Sequence, residues 1–216
     1  MYEKYGQFIN GKWHKSSSGE TYEVINPANE EIIGKASKAS PEDVDKALLS
    51  AQKGLEVWKK TPPWQRAYIL RRIADKMREK QDILAKWMTL EVGKPLAEAK
   101  GEVNGAADIY EWNAEETKRI YGQTVESRFE DTRVHVYYQP VGVVAALVPW
   151  NFPLVLSARK ISTALAAGCS VIVKPDVITP GVVMEQVEIC RECGVPPGVV
   201  NLLSGDPPSI AQQLIA

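Results

Sequence analysis

Val141–Lys160 reads VGVVAALVPWNFPLVLSARK, and the fold follows from it. The apolar, β-branched run Val141–Val148 has the length of a strand covered on both faces, and Pro149 stops it. Pro153 suits the first turn of a helix, where its missing N–H costs nothing. A buried strand, a polar turn and a helix start therefore follow one another without a spacer. Asn151 is expected at the carboxyl end of a central strand, where open α/β sheets place their ligands. Two roles are open to it. Ahead of a helix, it would cap the orphan N–H groups of the first turn. As a primary amide at a strand end, it would aim an N–H at a developing oxyanion.

Working downstream, Cys169–Lys174 and Val199–Leu203 are further apolar runs, alternating with helical segments Pro153–Ala167 and Pro180–Cys193. That alternation predicts a parallel sheet with right-handed crossovers. Upstream, residues 120–139 are extended and rich in Tyr, Val, Arg and Thr around Glu130-Asp131, which predicts a charged hairpin. Helical periodicity occupies the stretch before it, from Pro41 to about Tyr121. Breaks near Thr61-Pro62-Pro63 and Gly93-Lys94-Pro95 divide it into three or four helices. Ser40 is placed to cap the first, with Pro41 at its first position and Glu42 and Asp43 facing the positive dipole end. Residues 7–37 alternate in short runs broken by Asn-Gly, Ser-Gly and Asn-Pro, the pattern of hairpin strands.

Composition narrows the partners. With 26 basic and 27 acidic residues, no charge excess exists to draw a nucleic acid or an anionic membrane. No apolar run approaches the roughly 20 residues that span a bilayer, and MYEKYGQFINGKW lacks a basic and an apolar leader region, so a cytoplasmic protein is expected. Cys190 and Cys193 form a C-x-x-C that reads either as redox chemistry or as structure. No second Cys or His cluster completes a zinc site, and His14 and His135 have no ligand spacing, so no metal is expected. Cys169 reads as a buried small hydrophobe. A G-x-G-x-x-G phosphate fingerprint is absent.

The motifs PWNFP at Pro149–Pro153 and VIVKP at Val171–Pro175 resemble those of the NAD(P)-dependent aldehyde dehydrogenase superfamily. FINGKW at Phe8–Trp13, INPANEEIIG at Ile25–Gly34, EVGKPLAEA at Glu91–Ala99 and ALAAGCSVIVKP ending at Pro175 resemble it in the same order, over essentially all 216 residues. Among its members the chain is most similar to semialdehyde and hydroxyaldehyde dehydrogenases. The resemblance implies an α/β fold, truncated: an N-terminal β segment and helices packed on a parallel Rossmann-like sheet, with a protruding hairpin arm. Residues 1–119 would be the first part of the cofactor-binding domain, 120–140 an oligomerisation arm, and 141–216 its βαβαβ part, with the catalytic domain absent. In the family the arm pairs with a neighbouring subunit, implying a homo-oligomer; from the residues alone an ordinary surface hairpin stands equally.

The same resemblance implies oxidation of an aldehyde to a carboxylate with NAD or NADP. It makes Asn151 the oxyanion donor, sets Val148, Pro149 and Trp150 near the nicotinamide half, and has Lys174 reach the adenosine ribose hydroxyls. Members favouring NAD commonly carry a Glu three positions beyond the Lys; Val177 stands there, which opens the site to NADP, whereas Asp176 would oppose a 2′-phosphate. A Gly common in relatives is replaced by Asp206-Pro207-Pro208. Phe152, Arg159 and Trp112, the last with Ile109 and Asn113 on the opposite wall, would line the substrate tunnel. Arg159 would meet the far carboxylate of an acidic semialdehyde or the hydroxyl of a hydroxyaldehyde, or else lie on a solvated face beside Lys160. The family's catalytic Cys and Glu lie beyond position 216, so the chain alone is expected to be inactive. The alternative is a non-catalytic, dehydrogenase-derived nucleotide-binding, structural or assembly protein.

Overall fold

The computed structural model describes residues 2–215. Strands β1 (Gln7–Ile9) and β2 (Lys12–His14) form a hairpin through Asn10 and Gly11, whose φ values of 52° and 77° are those of a two-residue type I′ turn. A second hairpin, β3 (Thr21–Ile25) with β4 (Ile32–Ser37), stands apart. Four helices follow: α1 (Pro41–Trp58), α2 (Pro63–Glu79), α3 (Gln81–Val92) and α4 (Leu96–Thr117). Ser40 caps α1 in a capping box with Asp43, as its sequence predicts. The division between α2 and α3 at Lys80 carries no Pro or Gly and is not visible in the sequence.

Next come the arm strands β5 (Gln123–Glu126) and β6 (Arg133–Val136), antiparallel and exposed at every residue. The last third alternates β7 (Val143–Leu147), α5 (Pro153–Ala166), β8 (Ser170–Lys174), α6 (Pro180–Glu192), β9 (Val200–Leu202) and α7 (Pro207–Ile215). The main sheet has the order β2-β1-β9-β8-β7, with β7, β8 and β9 parallel. The N-terminal hairpin joins it antiparallel through Phe8, which faces Leu202.

Two expectations are corrected here. The strand predicted over Val141–Val148 is shorter, and Val141 is 90% exposed. Among the described residues β7 is the outermost strand of its sheet, with Ala146 buried and Ala145 exposed. The buried strand is β8, in which every residue is enclosed. Its side chains alternate between two cores: Val171 and Val173 face the larger core built with α2–α6, while Ile172 joins Leu203, Val44, Ala47, Ala51 and Ile210 under α1 and α7. Cys169 sits just before β8 rather than within it.

The larger core is locked at both ends of the helices. Trp58, fully buried at the end of α1, donates from Nε1 to the carbonyl of Leu165 at 2.9 Å. At the opposite end, α6 begins after Thr179, whose side chain makes no capping bond. A carboxylate from α3 takes that role: Glu91 accepts from Gly181 N–H at 2.6 Å and Val182 N–H at 3.2 Å, and from the Tyr2 hydroxyl. Gly181 is required by this approach, because a Cβ there would lie 2.3 Å from the Trp87 ring and 2.7 Å from Glu91 Oε1.

Burial pushes the Glu91 carboxyl up to about 7, against the pull of its three donors. The folded state therefore holds this proton more tightly than the unfolded chain does. The stability it contributes is present in full below the ordinary carboxylate value and is lost as pH rises through about 7. We predict that the urea-unfolding free energy declines between about pH 5 and pH 7.5 by up to roughly 3 kcal/mol. Glu91→Gln should flatten that slope; an unchanged slope in the variant would assign the pH dependence to another group.

Candidate active site

The carboxyl ends of β7, β8 and β9 lie along one edge, and helices α5 and α6 start from it. Past the end of β7, Val148 N–H still donates to the Lys174 carbonyl at 2.9 Å, so Val148 and Lys174 are held side by side. A cleft of about 250 Å³ opens at this point, lined by Leu147, Val148, Pro149, Lys174, Asp176, Pro207 and Ala211. Lys174 is 4% exposed and has no hydrogen-bond or ion-pair partner among the described residues. Burial pulls its ammonium below the usual lysine range, while Asp176 and Asp206 push the other way. An ammonium in that position is costly unless hydroxyl or anionic oxygens meet it.

Beyond Pro149 the chain turns away from the first cleft and into a second, of about 500 Å³. Asn151, Phe152, Val155, Leu156 and Arg159 form one wall of it, and Lys94, Glu98, Gly101, Glu102 and Gly105 the other. Asn151 is exposed and lines the larger cleft, two residues after Pro149, which borders the smaller one. It does not cap α5. The cap position belongs to Phe152, no side chain of which can accept, and the Asn151 carboxamide has no hydrogen-bond partner among the described residues. The N–H groups of Leu154 and Val155 go instead to Glu102 Oε1, at 3.0 and 3.2 Å. Glu102 also pairs with Lys94, both buried, and Lys94 donates to the Asn151 backbone carbonyl at 3.3 Å.

Arg159 lines the same cleft as Asn151, exposed and with no carboxylate partner among the described residues. Trp112 is placed otherwise: it is 67% exposed on α4 and lines neither cleft. The α4 stripe facing the cleft is Glu98, Gly101, Glu102 and Gly105; Trp112 lies farther along the helix, and Asn113 is spent on Ser162 Oγ at 2.8 Å. Trp150 is half-exposed and lines neither cleft. Val177 faces a third cleft of about 300 Å³ beside Tyr22, Lys38, Asp206 and Pro207, and the Asp176 carboxylate accepts from Ile178 N–H at 3.1 Å. Sequence reasoning passed over Lys94, Glu98 and Glu102. Lys94 was quoted within EVGKPLAEA, but nothing local to that motif shows that α4 packs against the start of α5.

Comparison with known proteins identifies the family. The model of the aldehyde dehydrogenase family matches residues 13–216. The chain is 43% identical to the glutarate-semialdehyde dehydrogenase of Pseudomonas putida over 207 residues, covering 96% of the chain and 43% of that protein. It is 44% identical to the NADP(+) succinate-semialdehyde dehydrogenase of Escherichia coli over 206 residues, covering 95% of the chain and 43% of that protein. A crystal structure of an NADP-dependent enzyme of E. coli superposes with a TM-score of 0.95 at 43% identity, covering 97% of this chain and 44% of that one. The chain thus spans less than half the length of these relatives. The parallel strands, the turn bearing Asn151 and the buried Lys174 all fall inside the matched residues, and the chain belongs to the aldehyde dehydrogenase family.

Proposed function

We propose that this chain is the cofactor-binding and oxyanion-orienting part of an NAD(P)-dependent dehydrogenase that oxidises an aldehyde, preferentially an acidic semialdehyde, to its carboxylate. The observation that carries the reading is the unpartnered Asn151 carboxamide in the wall of the larger cleft, with the capping of α5 taken over by Glu102. An amide kept free at a strand end is available to stabilise negative charge developing on a carbonyl oxygen. The smaller cleft fits the cofactor: Lys174, buried and otherwise unpaired, suits ribose hydroxyls, and Val148 and Pro149 offer an apolar wall. When bound there, NAD or NADP supplies the hydride acceptor. With Val177 in place of a carboxylate, neither cofactor is repelled at that position, although Asp176 and Asp206 remain near.

The larger cleft fits the aldehyde. Arg159 presents an unpaired guanidinium to it, and a planar fork suits a distal carboxylate. The names of the two semialdehyde dehydrogenases above support that substrate class. Assembly as a homo-oligomer through residues 120–140 is part of the proposal, supported by the exposed arm strands and by Phe129 and Tyr137, which are 55% and 77% exposed. Among the described residues no helix is long and apolar enough to cross a membrane. We place the protein in the cytoplasm, in keeping with its three free cysteines.

None of those cysteines is suited to attack an aldehyde. All are buried; Cys190 is pushed up to about 12 by burial, and burial raises Cys193 as well. Cys169 precedes β8, roughly 16 Å along the strand from Lys174 at about 3.3 Å per residue. The chain by itself should therefore form no NAD(P)H from aldehyde at any pH, measured at 340 nm with stoichiometric protein; turnover abolished by Cys169→Ser would overturn this.

In a full-length enzyme carrying the chain, Asn151→Ala should lower kcat by roughly 10²–10³-fold. A kcat within about three-fold of wild type would remove Asn151 from the chemistry. Arg159→Leu should weaken kcat/KM for an acidic semialdehyde by roughly ten- to hundred-fold, the worth of one charge-assisted pair, while sparing an apolar aldehyde of equal length. Equal losses for both substrates would mean that Arg159 supports the helix rather than the substrate.

A further inference from the structure

The start of α5 cannot cap itself. Phe152 has no side-chain acceptor, Pro153 has no N–H, and the next two N–H groups point to Glu102 Oε1 at 3.0 and 3.2 Å. The other oxygen of the same carboxylate is taken by Lys94. That ammonium then makes two contacts that the helix does not need: a 3.3 Å bond to the backbone carbonyl of Asn151, and a position 3.9 Å from the centroid of the Phe152 ring. One buried ion pair, 8% and 1% exposed at its two side chains, thus grips Asn151, Phe152, Leu154 and Val155 from the opposite wall of the cleft.

We infer that Lys94 and Glu102 are positioning residues for Asn151, fixing the direction in which its free carboxamide enters the cleft, their own polar atoms being engaged with each other and with the backbone. A peptide unit is planar, so holding the Asn151 carbonyl oxygen fixes the plane that joins Asn151 to Phe152, and the bonds to Leu154 and Val155 N–H fix the helix start to which that plane leads. A cap alone would require Glu102 only. Lys94 adds the hold on Asn151 itself, and Glu102 keeps the lysine charge in place where burial would otherwise expel it. Displacing a reacting group by about 1 Å costs on the order of 10²-fold in rate. The inference rests on the proposed role of Asn151.

The test uses the full-length enzyme carrying this chain, with Lys94→Met, Glu102→Gln and Asn151→Ala singly and each of the first two combined with Asn151→Ala. Lys94→Met leaves the Glu102 bonds to α5 available, so it decides the question even if Glu102→Gln fails to fold. Lys94→Met should lower kcat about ten-fold or more while KM for the aldehyde moves less than about three-fold. In the Asn151→Ala background, where the carboxamide is gone but the backbone carbonyl remains, the same substitution should cost less than about two-fold. The same loss in both backgrounds, or an unchanged kcat for Lys94→Met, would overturn the inference and leave the pair a purely structural one. If Asn151→Ala alone leaves kcat within about three-fold, the oxyanion reading itself fails, and that result is separable because it appears without any change at Lys94 or Glu102.

Discussion

Helices α5 and α6 both begin at the carboxyl edge of the sheet with residues that make no side-chain cap, and both are completed by a glutamate reaching across from the helical layer. Four backbone N–H groups, those of Leu154, Val155, Gly181 and Val182, would otherwise lie buried or half-buried without acceptors. An unmade bond to such a group costs about 1–3 kcal/mol, so the docking of α3 and α4 onto the sheet depends on these two carboxylates. They also occupy the positive ends of both helices. Negative charge arriving at the starts of α5 and α6 finds both termini filled, and Asn151, Lys174 and Arg159 are the side chains that the two clefts offer it.

The site divides its work between two clefts because the chain between β7 and α5 changes direction over a few residues. Val148 and Pro149 remain in register with β8 and border the smaller cleft, whereas Asn151 and Phe152 have already turned toward α4. The two clefts thereby have no lining residue in common. The glutamates are not equivalent, however. Glu102 is matched by a lysine, while Glu91 has only neutral donors, and burial accordingly raises the Glu91 carboxyl toward neutrality.

Much of the architecture was legible in the sequence because it is carried by local chemistry. Ser40-Pro41 starts α1, Asn10-Gly11 makes the first hairpin turn, and Pro153 and Pro180 open the crossover helices. Asn151, Phe152 and Arg159 could be set on one surface from a turn and a helical spacing. What escaped was lateral: an apolar run does not say whether it is central or at an edge, and β7 is the outermost strand among the described residues while Phe8 brought a hairpin onto β9. The break at Lys80 lacks any residue that forces it, and Trp112 could not be excluded from the cleft without knowing which α4 stripe meets α5. Glu91 and Glu102 look like ordinary helix carboxylates until two helix starts are placed against them.

The pairing of Phe8 with Leu202 has a consequence for how the molecule comes into being. The first hairpin is local and can close as soon as it leaves the ribosome, but its neighbour in the sheet is made only when synthesis reaches Leu202. At roughly 5–20 residues per second, that partner follows about 10–40 s later. Throughout that interval the hairpin presents the unpaired edge of β1, with Phe8 of β1 packed on Trp13 of β2, and the nascent helices have no finished sheet to cover. Joining of the hairpin to the main sheet thus waits for synthesis to pass Leu202, and a contact of such long sequence separation makes its closure slow even afterwards.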